Sequence, residues 1–249
     1  MRRAVAVVVA AMMMMILPGC GRQVTGLGKT SELVPSGQME VIFGTQAALD
    51  TNDFSYIIVF NTQGNDNQPY ALGQNSNYLN WSWVIQIGGQ NPGFSGGVSA
   101  VSAPRLYQIY SDPSVSVGYA PDIKTYPTGA LVLRPYTTGG AFTTGFEVQF
   151  NRCLLDQPNP LTKPQPSPNP AVDCPPYLFI DPSWAINIFT VDSTGAVVDS
   201  LGNNGPSDTE VVFAVNTSAV VSNYLPKTVI TPLSNPAAEI TGLQVFSTP

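Results

Sequence analysis

From Gln38 onward the chain breaks into short apolar or alternating runs separated by Gly, Pro and Asn, and none of them sustains a helical period. Such runs occupy residues 38–45, 54–60, 78–87, 97–102, 105–110, 114–119, 130–134, 145–151, 177–180, 185–191, 197–200, 209–216 and 240–246. Segments this short, rich in β-branched and aromatic residues and closed by turn formers, are strand candidates. At this spacing, without helical periods between them, they predict an all-β fold. The expected architecture is an antiparallel β-sandwich, immunoglobulin-like or jelly-roll-like, built as a single domain from residues 38–249.

Period two assigns faces to these strands. In residues 78–87, Trp81, Trp83, Ile85 and Ile87 fall on one side and Asn80, Ser82, Val84 and Gln86 on the other, so both tryptophans are expected in the core. Phe146, Val148 and Phe150 alternate with Glu147 and Gln149, which turns Glu147 toward solvent, and Glu210 reads the same way. Two stretches break the pattern. Residues 157–170 carry Pro at 158, 160, 164, 166, 168 and 170 and read as an exposed, extended loop. From about residue 217 to 239, with Pro226, Pro232 and Pro236, a less regular segment is expected to wrap the sandwich, and 240–246 to return as an edge strand.

Ahead of the strands, Arg2 and Arg3 precede an uncharged apolar run at 4–17 and then Leu17-Pro18-Gly19-Cys20. The run fits the core of a secretory signal and is too short to cross a bilayer of about 30 Å as a helix. The tetrapeptide resembles the lipobox of bacterial lipoproteins, with Pro18 in a slot that a small residue usually fills. That resemblance implies a signal peptide at 1–19, cleavage before Cys20 and acylation of Cys20 with diacylglycerol and an N-acyl chain such as palmitate. Residues 20–37 would then be a flexible, lipidated tether. Two or more acyl chains give stable attachment, so the membrane is an expected partner. The expected location is the cell membrane or outer membrane, on the extracytoplasmic side.

Composition removes several functions. The chain carries 10 Lys and Arg against 16 Asp and Glu, and two of the arginines lie in the signal. No nucleic-acid partner is expected, because phosphate binding depends on clustered cations. Histidine is absent, which rules out Ser-His-Asp and Cys-His nucleophiles, His-ligated zinc and proximal-His haem. A glycosidase working through two carboxylates survives that exclusion.

Among the remaining candidates, Cys153 and Cys174 are the thiols left once Cys20 is acylated, and they are expected to pair across the base of the proline-rich loop. Trp184, which follows Asp181-Pro182-Ser183, is the tryptophan best placed to stack on a sugar; an aromatic plug at the sandwich end is the other reading. Asp50, Asn52, Asp53, Asp66 and Asn67 offer oxygen ligands suited to calcium if their loops meet at one end of the strand at 54–60, and ordinary turn chemistry selects the same residues. No further cofactor is expected.

A family resemblance rests on the order of a strand, a loop, Phe54-Ser-Tyr-Ile-Ile-Val-Phe-Asn-Thr62, an Asn/Asp-rich loop with Pro69, and later Ile186-Asn-Ile-Phe-Thr-Val-Asp192 and Asp199-Ser-Leu-Gly202. Over residues 38–216 this order resembles the family-nine carbohydrate-binding modules and DOMON-type sandwiches. The resemblance implies a sandwich that binds sugars; the haem-binding version relies on Met and His ligands, and this chain has no His. The expected function is a non-catalytic cell-envelope lipoprotein whose sandwich binds or scaffolds a glycan or an envelope protein. A surface-anchored carbohydrate-binding module is the alternative, and a carboxylate-based glycosidase stands third.

Overall fold

The computed structural model describes residues 34–63, 69, 78, 80–88, 104–114, 119–136, 144–155, 183–201, 211–214, 221–227 and 233–248. In chain order its strands are β1 (Gln38–Thr45), β2 (Phe54–Asn61), β3 (Trp83–Ile87), β4 (Arg105–Ser111), β5 (Tyr119–Lys124) and β6 (Leu131–Tyr136). There follow β7 (Thr144–Asn151), β8 (Ser183–Asp192), β9 (Val197–Ser200), β10 (Val211–Ala214), β11 (Val221–Pro226) and β12 (Ile240–Ser247). One sheet has the order β11-β12-β1-β7-β6 and the other β10-β8-β2-β3-β4-β5, with β9 and β10 pairing successive halves of β8. Every pairing is antiparallel. The expected all-β sandwich is the fold found.

Alternation along the strands builds the core between the sheets. Met39, Val41 and Phe43 of β1 and Phe146, Val148 and Phe150 of β7 pack against inward residues of β2, β3 and β8. Aromatic rings interlock across the gap: Phe43 meets Tyr56 at 5.9 Å between centroids, and Phe60 stands edge-on to Phe150 at 5.5 Å. Beside them, Gly145 of β7 lies opposite Gly44 of β1, and a Cβ there would meet the Phe43 carbonyl oxygen at 1.9 Å. Only glycine fits so close an approach.

The outside of the second sheet is apolar too. Ile57 and Val59 of β2 join Val84, Tyr107, Ile109 and Phe189 in a second buried cluster, so β2 is buried along its whole length. A strand covered on both faces reads as a continuous apolar run, as Tyr56-Ile57-Ile58-Val59-Phe60 does. Trp81 belongs to this outer cluster, stacked on Phe189 at 5.7 Å, and not to the face of Trp83, Ile85 and Ile87. The backbone explains the correction: Tyr78 and Asn80 adopt positive φ, 51° and 63°, and β3 begins only at Trp83, so period two does not reach back to Trp81.

Trp184 also departs from the exposed position considered for it. β8 begins at Ser183, so alternation with Ile186 and Ile188 carries Trp184 into the core, 0% exposed and edge-on to Phe60 at 6.3 Å. Residues 217–239 contain β11, and β12 is an interior strand between β11 and β1 rather than an edge. Residues 34–37 are not free tether: Val34 is buried, Thr248 Oγ1 donates to the Val34 carbonyl at 2.8 Å, and the Gly37 N–H donates to the Thr248 carbonyl at 3.3 Å. Where a strand was expected at 114–119, residues 113–114 turn and β5 starts at Tyr119. The strands expected at 97–102 and 177–180 lie outside the described residues, as do the signal peptide and the loop at 157–170.

Proline, which has no N–H for a ladder, occurs in the described strands at Pro121 of β5, Pro135 of β6 and Pro226 of β11. All three strands are sheet edges, where a missing donor is tolerated.

Tyr56 ties two connections to the core. Its hydroxyl donates to the Ala237 carbonyl at 2.8 Å and accepts the Asp50 N–H at 3.1 Å, and burial pushes its pKa up to about 12. The neutral phenol is thus favoured by folding. Its contribution is complete below about pH 10, the ordinary tyrosine value, and is lost as pH rises toward 12. Chemical denaturation between pH 10 and 12 should therefore show a fall in stability that is shallower in Tyr56→Phe, and at neutral pH that variant should lose about 1–3 kcal/mol by stranding the Ala237 carbonyl. In the same assay at neutral pH, Trp184→Ala should cost about 3–5 kcal/mol through lost burial and a residual cavity.

Candidate functional site

The residues that alternate with the core on β1, β6 and β7 form the outer face of the first sheet. There Gln38, Gln149, Asn151, Val132 and Arg134 make the floor of a cavity of about 480 Å³. Pro35 forms one wall and the turn at 127–130 another. That turn reverses at Gly129, where φ is +84° and a side chain would be strained.

Hydrogen bonds fix how the floor presents itself. Gln149 Nε2 donates to Gln38 Oε1 at 2.5 Å, which leaves Gln149 Oε1 and Gln38 Nε2 as the outward acceptor and donor of the pair. Asn151 closes β7, and its Oδ1 accepts the Cys153 N–H at 3.3 Å in the short 3₁₀ turn Arg152–Leu154; its Nδ2 is uncommitted. Arg134 Nη1 donates to Glu147 Oε1 at 3.1 Å, with the arginine side chain 54% exposed and the glutamate buried. Glu147 therefore does occupy the outward side of β7, as alternation predicts, but it is not displayed to solvent. It holds the guanidinium across the β6–β7 pair. Glu210 lies outside the described residues.

Of the calcium candidates, three fall among the described residues. Asp50, Asn52 and Asp53 form the turn that leads into β2, where Asp50 Oδ1 accepts the N–H groups of Asn52 at 3.1 Å and Asp53 at 3.2 Å. Asp66 and Asn67 lie outside the described residues. Among the described residues no group of three Cys, Asp or Glu side chains is placed to hold a metal ion.

Other carboxylates are tied into the framework. Asp192 accepts the Thr194 hydroxyl at 2.7 Å and the N–H groups of Thr194 and Ala196, and these donors, the hydroxyl first, hold its pKa below the usual value. Asp112 is lowered in the same way by the hydroxyl and N–H of Ser114. Asp199 of β9 pairs with Lys227 and accepts the Ile240 N–H at 2.7 Å, so one side chain joins the two sheets.

Of the cysteines, Cys153 lies in the turn after β7, while Cys20 and Cys174 lie outside the described residues. The cavity residues carry no sequence signal of their own. Gln38, Arg134 and Gln149 come from three strands, and only the register that sets Gln38 opposite Asn151 and Arg134 opposite Glu147 assembles them. Comparison with protein-family models, with curated proteins and with solved structures finds no match to this chain.

Proposed function

We propose that this chain is a non-catalytic, lipid-anchored envelope protein whose sandwich binds or scaffolds a partner through the cavity at its tethered end. The observation that supports this reading is the position of residues 34–37. They continue from the expected tether, are hydrogen-bonded beside Thr248, and supply the cavity wall at Pro35. A lipid on Cys20 would hold that end within about 50 Å of the bilayer, the reach of the intervening chain fully extended. The described carboxylates favour binding over acid–base chemistry, because Asp50, Asp192, Asp199 and Glu147 are each engaged in turns or ion pairs.

A carbohydrate-binding role remains the second reading, and with Trp81, Trp83 and Trp184 all buried it rests on the cavity rather than on an indole platform. We further propose the Cys153–Cys174 bridge across the proline-rich loop. Its support is that Cys153 lies in the 3₁₀ turn that directly follows β7, just ahead of that loop in the sequence.

Metabolic labelling with a fatty-acid analogue should mark the parent and fail on Cys20→Ser, which should accumulate as unprocessed precursor; label retained on the variant would sink the anchor. Peptide mapping without reductant should recover residues 153 and 174 in one cross-linked fragment. Replacing both cysteines by Ser should lower stability by roughly 2–5 kcal/mol.

A further inference from the structure

The cavity combines three features that narrow its ligand. Its lining holds one guanidinium and no carboxylate, although acidic side chains outnumber basic ones 16 to 10 in the chain. Among its amide and guanidinium atoms the uncommitted ones are mostly donors, Gln38 Nε2, Asn151 Nδ2 and the Nε and Nη2 of Arg134, with Gln149 Oε1 as an amide acceptor; Thr128 adds a hydroxyl that can donate or accept. Its walls at Pro35 and Pro127, and its floor at Val132, are apolar. At about 480 Å³ it falls within the size range of small-ligand clefts.

From these features we propose that the cavity binds a sugar carrying a carboxylate, a hexuronate or the uronate end of a glycan. This assignment rests on the binding reading above. The planar guanidinium of Arg134 takes the carboxylate through paired N–H donors, while the amides of Gln38, Gln149 and Asn151 take hydroxyl and ring oxygens and the proline wall packs against the C–H face of the ring. Glu147 acts as a positioning residue: by accepting from Nη1 it anchors the guanidinium and leaves Nε and Nη2 as the pair of donors for the ligand. It also offsets part of the guanidinium charge. The site therefore suits a single negative charge set among hydroxyls better than a compact dianion such as phosphate.

Isothermal titration of the full-length protein in detergent micelles, with galacturonate, galactose and inorganic phosphate as separate probes, tests the assignment. Galacturonate should bind at least tenfold more tightly than either other probe, on the scale of one charge-assisted pair. Arg134→Gln should bring galacturonate down to the galactose level while galactose stays within twofold, and Gln149→Leu should weaken both sugars. Arg134→Gln takes the cation from buried Glu147 and should lower the denaturation midpoint, so a circular dichroism spectrum unchanged from the parent at the titration temperature separates loss of binding from loss of fold. Equal binding of galacturonate and galactose, phosphate binding as tight as galacturonate, no effect of Arg134→Gln, or no heat with any probe at millimolar concentration would each overturn it. If binding fails while Cys20-dependent labelling persists, the ligand assignment falls and the anchored reading stands.

Discussion

Strand β2 has no face left for water, and the sandwich is organised around that fact. Tyr56, Ile58 and Phe60 enter the core between the sheets while Ile57 and Val59 enter the cluster outside, so one strand must be covered from both directions. Both of its edges are occupied as well, by β3 and β8 in full antiparallel register. A one-residue slip of β2 would exchange two largely apolar sets of different size and turn Ser55 and Asn61 toward the inner core. Register is held further by shape and by specific bonds, the Tyr56 hydroxyl above all, which fits only where Ala237 and Asp50 meet it.

The two sheets divide their outer surfaces between different tasks. The second sheet spends its outer face on apolar packing, including the stack of Trp81 on Phe189. On the first sheet, the outward positions of β1, β6 and β7 carry Gln38, Val132, Arg134, Glu147 and Gln149, and it is there that the cavity opens. The same alternation that sends Val148 and Phe150 inward sends Glu147 and Gln149 outward. The strand thus supplies core and site at once, and the ion pair of Arg134 with Glu147 crosses directly between paired positions of β6 and β7.

The sequence made individual strands legible where patterning is local. β1 spans the residues expected for it, and β2, β4, β7, β8 and β9 lie within a residue or two. β5 and β11 were hidden by Pro121 and Pro226, which local rules treat as breakers and which an edge strand accepts. Trp81 and Trp184 depart from local patterning for separate reasons: positive φ at Tyr78 and Asn80 breaks period two ahead of Trp81, and β8 starts at Ser183, earlier than Asp-Pro-Ser suggests. The cavity was not legible because the pairing of β1 with β7, which brings Gln38 beside Gln149 and Asn151, spans about a hundred residues of sequence, and no local signal specifies it.

The edge prolines bear on how many copies of this fold can coexist at high density. A strand edge recruits another chain by offering an unbroken row of donors and acceptors, which is the first step of sheet-to-sheet aggregation. Pro226 and Pro135 interrupt that row on both edges of the first sheet, and Pro121 interrupts it on one edge of the second. The remaining edge is divided between two four-residue strands, β9 and β10, each too short to template a long partner. Crowded copies would thus meet as closed units, and their backbones would have little tendency to fuse into a common sheet.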